Sequence, residues 1–146
     1  MSIEENKAIM RRVWGEVFDE GKSEKVDEFF TEDHVYHIPG GREIKGIDQF
    51  KKFNDWVHKG FSELHFTVGD LMADGDNVVT HYTMTGTDKK NKKLVLRGVI
   101  IARIAGEKVA EQWEIFDSLE MASQLAPGWA KVLLKLVHKQ MTKGLS

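Results

Sequence analysis

The chain has 146 residues, 41% of them hydrophobic and 30% charged, with 21 Lys plus Arg against 23 Asp plus Glu and no cysteine. That length and balance suit one globular domain with a buried core and exclude a disordered or collagen-like chain; the missing cysteine excludes disulfides, thiolate metal sites and a cysteine nucleophile. A net charge of -2 argues against nucleic acid as a partner, and Met1-Ser2-Ile3-Glu4-Glu5 lacks the basic and apolar regions of a secretory leader, so the expected location is cytoplasmic.

In chain order, Ser2 and Glu5 form a capping box that opens a helix carrying Ile9, Met10, Val13, Trp14, Val17 and Phe18 at helical spacing, with Gly21 as its stop. Ser23 caps a short second helix marked by Val26, Phe29 and Phe30 and expected to end near Thr31-Glu32-Asp33. Val35 to Ile38 reads as a brief strand closed by Pro39-Gly40-Gly41, and a third helix follows with Ile47, Phe50, Phe53, Trp56 and Val57 on one side and Gly60 at its end. From Leu64 the period falls from about 3.6 to about 2. Turn signals at 74–77, 88–93 and 105–108 then divide four antiparallel strands over 64–73, 78–88, 94–104 and 109–117. Helices grouped before strands predict an α+β fold.

The strand 94–104 is apolar on both faces, with Leu94, Leu96, Ile100 and Ile104 on one and Val95, Val99 and Ile101 on the other. Helices one to three cover one face, and the other is left for a second subunit or the C-terminal helix; a homodimer is the simpler expectation. Residues 127–146 form an amphipathic helical extension of the domain at 1–126. In it Trp129, Val132, Leu133, Leu136, Val137 and Met141 alternate with four lysines and no acid. Packing on the domain or on a partner is the favoured reading, and contact with an anionic membrane is the other.

Alternation along the last strand sets Gln112, Glu114 and Phe116 on one face and Glu111, Trp113 and Ile115 on the other. If the turn 105–108 fixes the register, Val99 lies opposite Glu114 and Arg97 sits diagonally beside it. Gln112, Glu114 and Arg97 then project together from an apolar surface, where long polar side chains call for partners or a ligand.

The stretches Glu5-Asn6-Lys7, Tyr36-His37, Gly75-Asp76-Asn77-Val78, Thr85-Gly86-Thr87 and Glu111-Gln112-Trp113-Glu114-Ile115-Phe116-Asp117 resemble the SnoaL-like polyketide cyclases of the nuclear-transport-factor-2-like superfamily. The resemblance covers roughly residues 4–125, ending at Gln124-Leu125. It implies a cone-shaped, cystatin-like curved antiparallel sheet whose concave face is covered by the N-terminal helices, usually dimeric, with a pocket for a small apolar or carbonyl-containing molecule. It further implies an intramolecular ring closure that needs no metal or organic cofactor. Gln112-Trp113-Glu114 falls on the family's strand motif, which makes Glu114 the acid/base of a cyclase or isomerase and gives His37 the place of a pocket histidine.

A cofactor-free enzyme of this kind stands beside two other readings, a ligand-binding module without turnover and a protein-interaction domain working through its dimer face and basic tail. His34 and His37, three apart on a strand, point to opposite faces and do not make a metal site. His81 and Thr83 alternate with Thr80, Tyr82 and Met84, and one of these sets lines the cavity; Trp14, Phe53 and Trp56 flank a ligand or fill the core. Asp117 to Glu120 reads as the capping box of the next helix.

Overall fold

A computed structural model describes residues 1–145. Helix α1 (Ile3–Arg12) opens on the expected reciprocal cap, in which the Glu5 amide donates to the Ser2 hydroxyl at 3.1 Å and the Ser2 amide donates to the Glu5 carboxylate at 2.7 Å. It continues into a π-helical segment, Val13–Asp19, which brings Val13, Trp14, Val17 and Phe18 to the interior. The chain reverses at Gly21, where φ is +70° and an added Cβ would stand 2.8 Å from the His58 ring. A 3-10 turn at Ser23–Lys25 leads into the short α2 (Val26–Phe29).

Here the structure departs from expectation. α2 stops at Phe29, and β1 occupies Phe30–Ile38, taking over the residues assigned to the end of the helix. The cause is non-local: β1 pairs in parallel with β6, and that partner decides between two periods that a few residues cannot separate. Pro39-Gly40-Gly41 is a hairpin, because β2 (Arg42–Lys45) returns antiparallel to β1. Its charged residues carried no strand signal, as suits the edge of a sheet.

α3 (Ile47–Gly60) follows the predicted spacing and precedes β3 (Phe61–Asp74), β4 (Asn77–Asp88), β5 (Lys93–Ala105) and β6 (Lys108–Phe116). The six strands lie in the order β2-β1-β6-β5-β4-β3. The last four form the predicted antiparallel meander, and the parallel β1–β6 contact makes the whole sheet mixed. Register breaks in β3, in β1 and between β5 and β6 bend the sheet into an open, curved half-shell.

The N-terminal helices fill its concave side. Leu94, Leu96, Ile100 and Ile104 are buried there against Met10, Val13, Trp14, Val17 and Phe50. Deep among them His34 of β1 donates from Nε2 to Gln112 Oε1 of β6 at 2.9 Å, and both side chains are fully buried. Burial pushes the His34 imidazole down to about 4, so this pair stabilises the fold above its ordinary value near 6.5 and loses that contribution as pH falls through 4.

The convex face keeps Val99, Ile101 and Trp113 half-buried and Val95, Met72 and Ile115 exposed. Asp117 caps α4 (Ser118–Leu125), accepting from the amides of Leu119 and Glu120 at 3.0 Å. β6 ends before reaching Val95, and α4 supplies the missing partner. Gln124 accepts from the Val95 amide at 2.8 Å and donates to its carbonyl at 2.9 Å, so a side chain completes the ladder. α5 (Gly128–Met141) follows. It does not bury its apolar stripe on the domain, and Trp129, Val132, Leu133, Leu136 and Val137 are each at least half exposed.

Candidate functional site

Between the helices and the concave sheet lies a cavity of about 480 Å³. The size suits a small organic molecule, and the walls are aromatic and aliphatic. Among the described residues Glu114 is the one charged group in the lining; Tyr36, Tyr82 and Asn54 supply the other polar side chains.

The position of Glu114 follows from β6, where alternation turns it inward beside Ile100 of β5. Tyr82 lies two strands away on β4, in register with Gly98 of β5. It reaches Glu114 only because Gly98 has no side chain. The Tyr82 hydroxyl crosses above that glycine and donates to Glu114 Oε2 at 3.0 Å, and a Cβ at position 98 would stand 2.5 Å from the same hydroxyl oxygen. Tyr36, in register with Gln112 on the β1 side, brings a second hydroxyl to bear on the carboxylate.

Two opposed effects set the proton affinity of Glu114. Burial in the apolar cavity raises its pKa; the hydrogen bonds of Tyr36 and Tyr82 lower it; burial prevails and the pKa stands above the usual carboxylate value. Burial, reinforced by the carboxylate, also pushes both tyrosines up, so at neutral pH both remain protonated donors. Such a group can take a proton from a carbon acid and return it, with the tyrosines able to turn toward developing negative charge on an oxygen.

The predicted site residues fall into two sets. Glu114, Trp14 and Trp56 line the cavity, Trp14 buried and Trp56 at the rim with 66% of its surface exposed. Gln112 faces the same way but lies deeper, bonded to His34. Arg97, His37 and His81 do not join them, and their expected placement is corrected. Ala110 is unpaired between the Ile104–Val109 and Arg103–Glu111 partners, which shifts the register by one, so Ile100 rather than Val99 lies opposite Glu114. A one-residue slip exchanges the faces. Arg97 therefore points outward, 3.7 Å from Glu120 of α4, and Glu114 has no ion pair with it. His37 stacks on Trp113 with ring centres 5.3 Å apart on the convex side and bonds Glu111 at 3.0 Å, while His81 is exposed. In β4 the set that lines the cavity contains Tyr82 and Met84.

Gly98 was not singled out from the sequence, and Tyr36 and Tyr82 entered it only in the Tyr36-His37 stretch and in one of two alternating sets of β4, although signals for their roles existed. The chain has only two tyrosines, and both face Glu114. A lone glycine within an apolar strand marks a close approach.

The curved open sheet with helices over one face is the nuclear-transport-factor-2-like α+β fold, and its apolar cavity is lined, among the described residues, by a single carboxylate. The family model described as SnoaL-like polyketide cyclase matches residues 8–125, and the chain belongs to that family. A comparison with curated proteins gave no match. Among solved structures, a candidate SnoaL-like polyketide cyclase of Jannaschia sp. CCS1 is similar at a TM-score of 0.79 and 22% identity, over 87% of this chain and 97% of that one. A candidate polyketide cyclase of Acidithiobacillus ferrooxidans is similar at 0.74 and 28% identity, over 86% and 97%. IdmH, a candidate polyketide cyclase of Streptomyces antibioticus, is similar at 0.72 and 20%, over 84% and 99%. The Jannaschia and Streptomyces likenesses establish the common fold.

Gly98→Ala should force the Tyr82 ring aside and destabilise the protein by about 1–3 kcal/mol in urea denaturation. Because the clash needs the ring, the double variant Gly98→Ala/Tyr82→Ala should cost less than the sum of its single changes. Strict additivity would show that the ring and the glycine do not interact.

Proposed function

We propose that the protein binds a small apolar, carbonyl-containing molecule in the cavity and that Glu114 moves a proton on it, in a cyclase- or isomerase-type reaction. The observation that carries this reading is the lone carboxylate of raised pKa in an apolar cavity, with two tyrosine hydroxyls and no cation beside it among the described residues. Glu114 accepts the proton from the carbon next to the carbonyl. Tyr36 or Tyr82, released from the carboxylate as it becomes neutral, donates to the enolate oxygen, and Trp14 and Trp56 hold the apolar body of the ligand. The step calls on no metal or organic cofactor.

Binding without turnover is the second reading. One Glu114 oxygen is already taken by Tyr82, and this favours a carboxylate that serves as a fixed polar contact. Deuterium exchange separates the two. With 2-tetralone as a probe carbon acid in deuterated buffer, wild-type protein should speed loss of the proton next to the carbonyl, increasingly as pH rises through the Glu114 pKa. Glu114→Gln should lower that rate by about 10²-fold or more.

The variant should not lose its fold. A folded-state pKa above the unfolded one means that Glu114 favours folding in acid and that this contribution is lost as pH rises through the folded pKa, so removing the charge costs nothing at neutral pH. Equal exchange rates in wild type and Glu114→Gln would contradict the role of base.

The cytoplasmic homodimer expected from the sequence would place its second copy on the convex sheet face, where Met72, Val95 and Ile115 lie exposed. Ile115→Lys should then leave a monomer in sedimentation velocity, and an unchanged dimer would locate the interface elsewhere.

A further inference from the structure

Helix α5 is unlike every other element of the chain. It follows α4 through Ala126-Pro127, is half-buried only at Ala130, Lys131 and Leu134, and presents to solvent a stripe at i, i+3, i+4, i+7 and i+8. The exposures along that stripe are 74% for Trp129, 59% for Val132, 57% for Leu133, 58% for Leu136 and 50% for Val137. Nothing in the fold requires these residues to be apolar. Beside the stripe, Lys131, Lys135 and Lys139 follow one another along one flank, one helical turn apart, and residues 127–146 contain no acid. The bases of the tail are thus segregated from a body in which acids outnumber bases.

The charge pattern and the length narrow the choice of what covers this stripe. An antiparallel pairing of α5 with its copy would set one lysine row against the other. Fourteen residues make a helix of about 21 Å, shorter than a bilayer's hydrocarbon core of about 30 Å, and no helix of the described residues is long and apolar enough to cross a membrane. A short helix with a Trp at one end, aliphatic residues along one face and only lysine for charge is built to lie in the plane of an anionic surface.

We propose that α5 is a peripheral docking helix for anionic lipid bilayers. Trp129, Leu133 and Leu136 enter the boundary between headgroups and acyl chains, and Lys131, Lys135 and Lys139 meet the lipid phosphates. Docking of this kind is independent of the chemistry at Glu114.

The test is flotation of the full-length protein with vesicles of phosphatidylcholine alone and of phosphatidylcholine with a quarter phosphatidylglycerol. The partition coefficient should be at least about tenfold higher on the anionic vesicles at low salt and should fall toward the zwitterionic value at about 0.5 M salt. Leu133→Asp/Leu136→Asp should abolish binding with an unchanged circular dichroism spectrum, because both side chains are exposed. Lys131→Glu/Lys135→Glu/Lys139→Glu should remove the preference for anionic lipid. Absence of binding, equal binding to both vesicles, or binding that survives the double aspartate variant would overturn the proposal. An oligomer that the double variant dissolves, in protein that ignores vesicles, would show that a second copy covers the stripe.

Discussion

Glu114 sits where a carboxylate is costly, and the way in which that cost is met governs the rest of the site. Removing a charged carboxylate from water is unfavourable unless donors or a cation replace the solvent. Two tyrosine hydroxyls do so here, and among the described residues no lysine, arginine or histidine approaches the group. A hydrogen bond to a charged group contributes about 1.5–3 kcal/mol, which offsets part of the penalty. A cation would have compensated more fully and fixed the charge. Tyrosines leave the carboxylate ionisable, with a pKa above the usual carboxylate value because burial outweighs their hydrogen bonds.

The fold serves this arrangement through backbone geometry. Glu114 and Tyr82 are separated by the whole of β5, and only the bare Gly98 lets the phenol pass over that strand. The π-helical segment brings Trp14 and Phe18 to the cavity wall, where Trp14 lies against Tyr82 with ring centres 5.0 Å apart. At the opposite side α4 finishes the sheet edge through Gln124 and contributes Met121 and Leu125 to the cavity wall. Most of the residues around Glu114 thus exclude water and hold two hydroxyls in place, which strengthens each polar contact in the cavity.

The sequence disclosed what local periodicity can disclose. The capping box of α1, the apolar sides of α1 and α3 and the strands of the meander repeat over windows short enough to read directly, and the inward direction of Glu114 and Gln112 followed from alternation alone. The neighbours of Glu114 were another matter. They depend on register, and one unpaired residue, Ala110, exchanged the faces of β5 relative to β6 and sent Arg97 outward. The first half of β1 reads as helix because its parallel partner lies far along the chain, beyond the reach of any short window, and β2 carries no strand signal because its residues are mostly charged. The amphipathic pattern of α5 was legible, but its exposure was not, since a stripe of Leu and Val reads alike whether protein, lipid or water faces it.

The balance between burial and hydrogen bonding at the Glu114 carboxyl group can be measured directly. Titration of wild-type protein labelled with ¹³C at the glutamate side-chain carboxyl, with Glu114 assigned by its absence from the Glu114→Gln spectrum, gives its pKa in the folded state. The expected value lies above the ordinary 4.5, with burial outweighing the two tyrosines. A value at or below 4.5 would mean that the tyrosines hold Glu114 as a fixed anion, and proton transfer at this site would have to be abandoned.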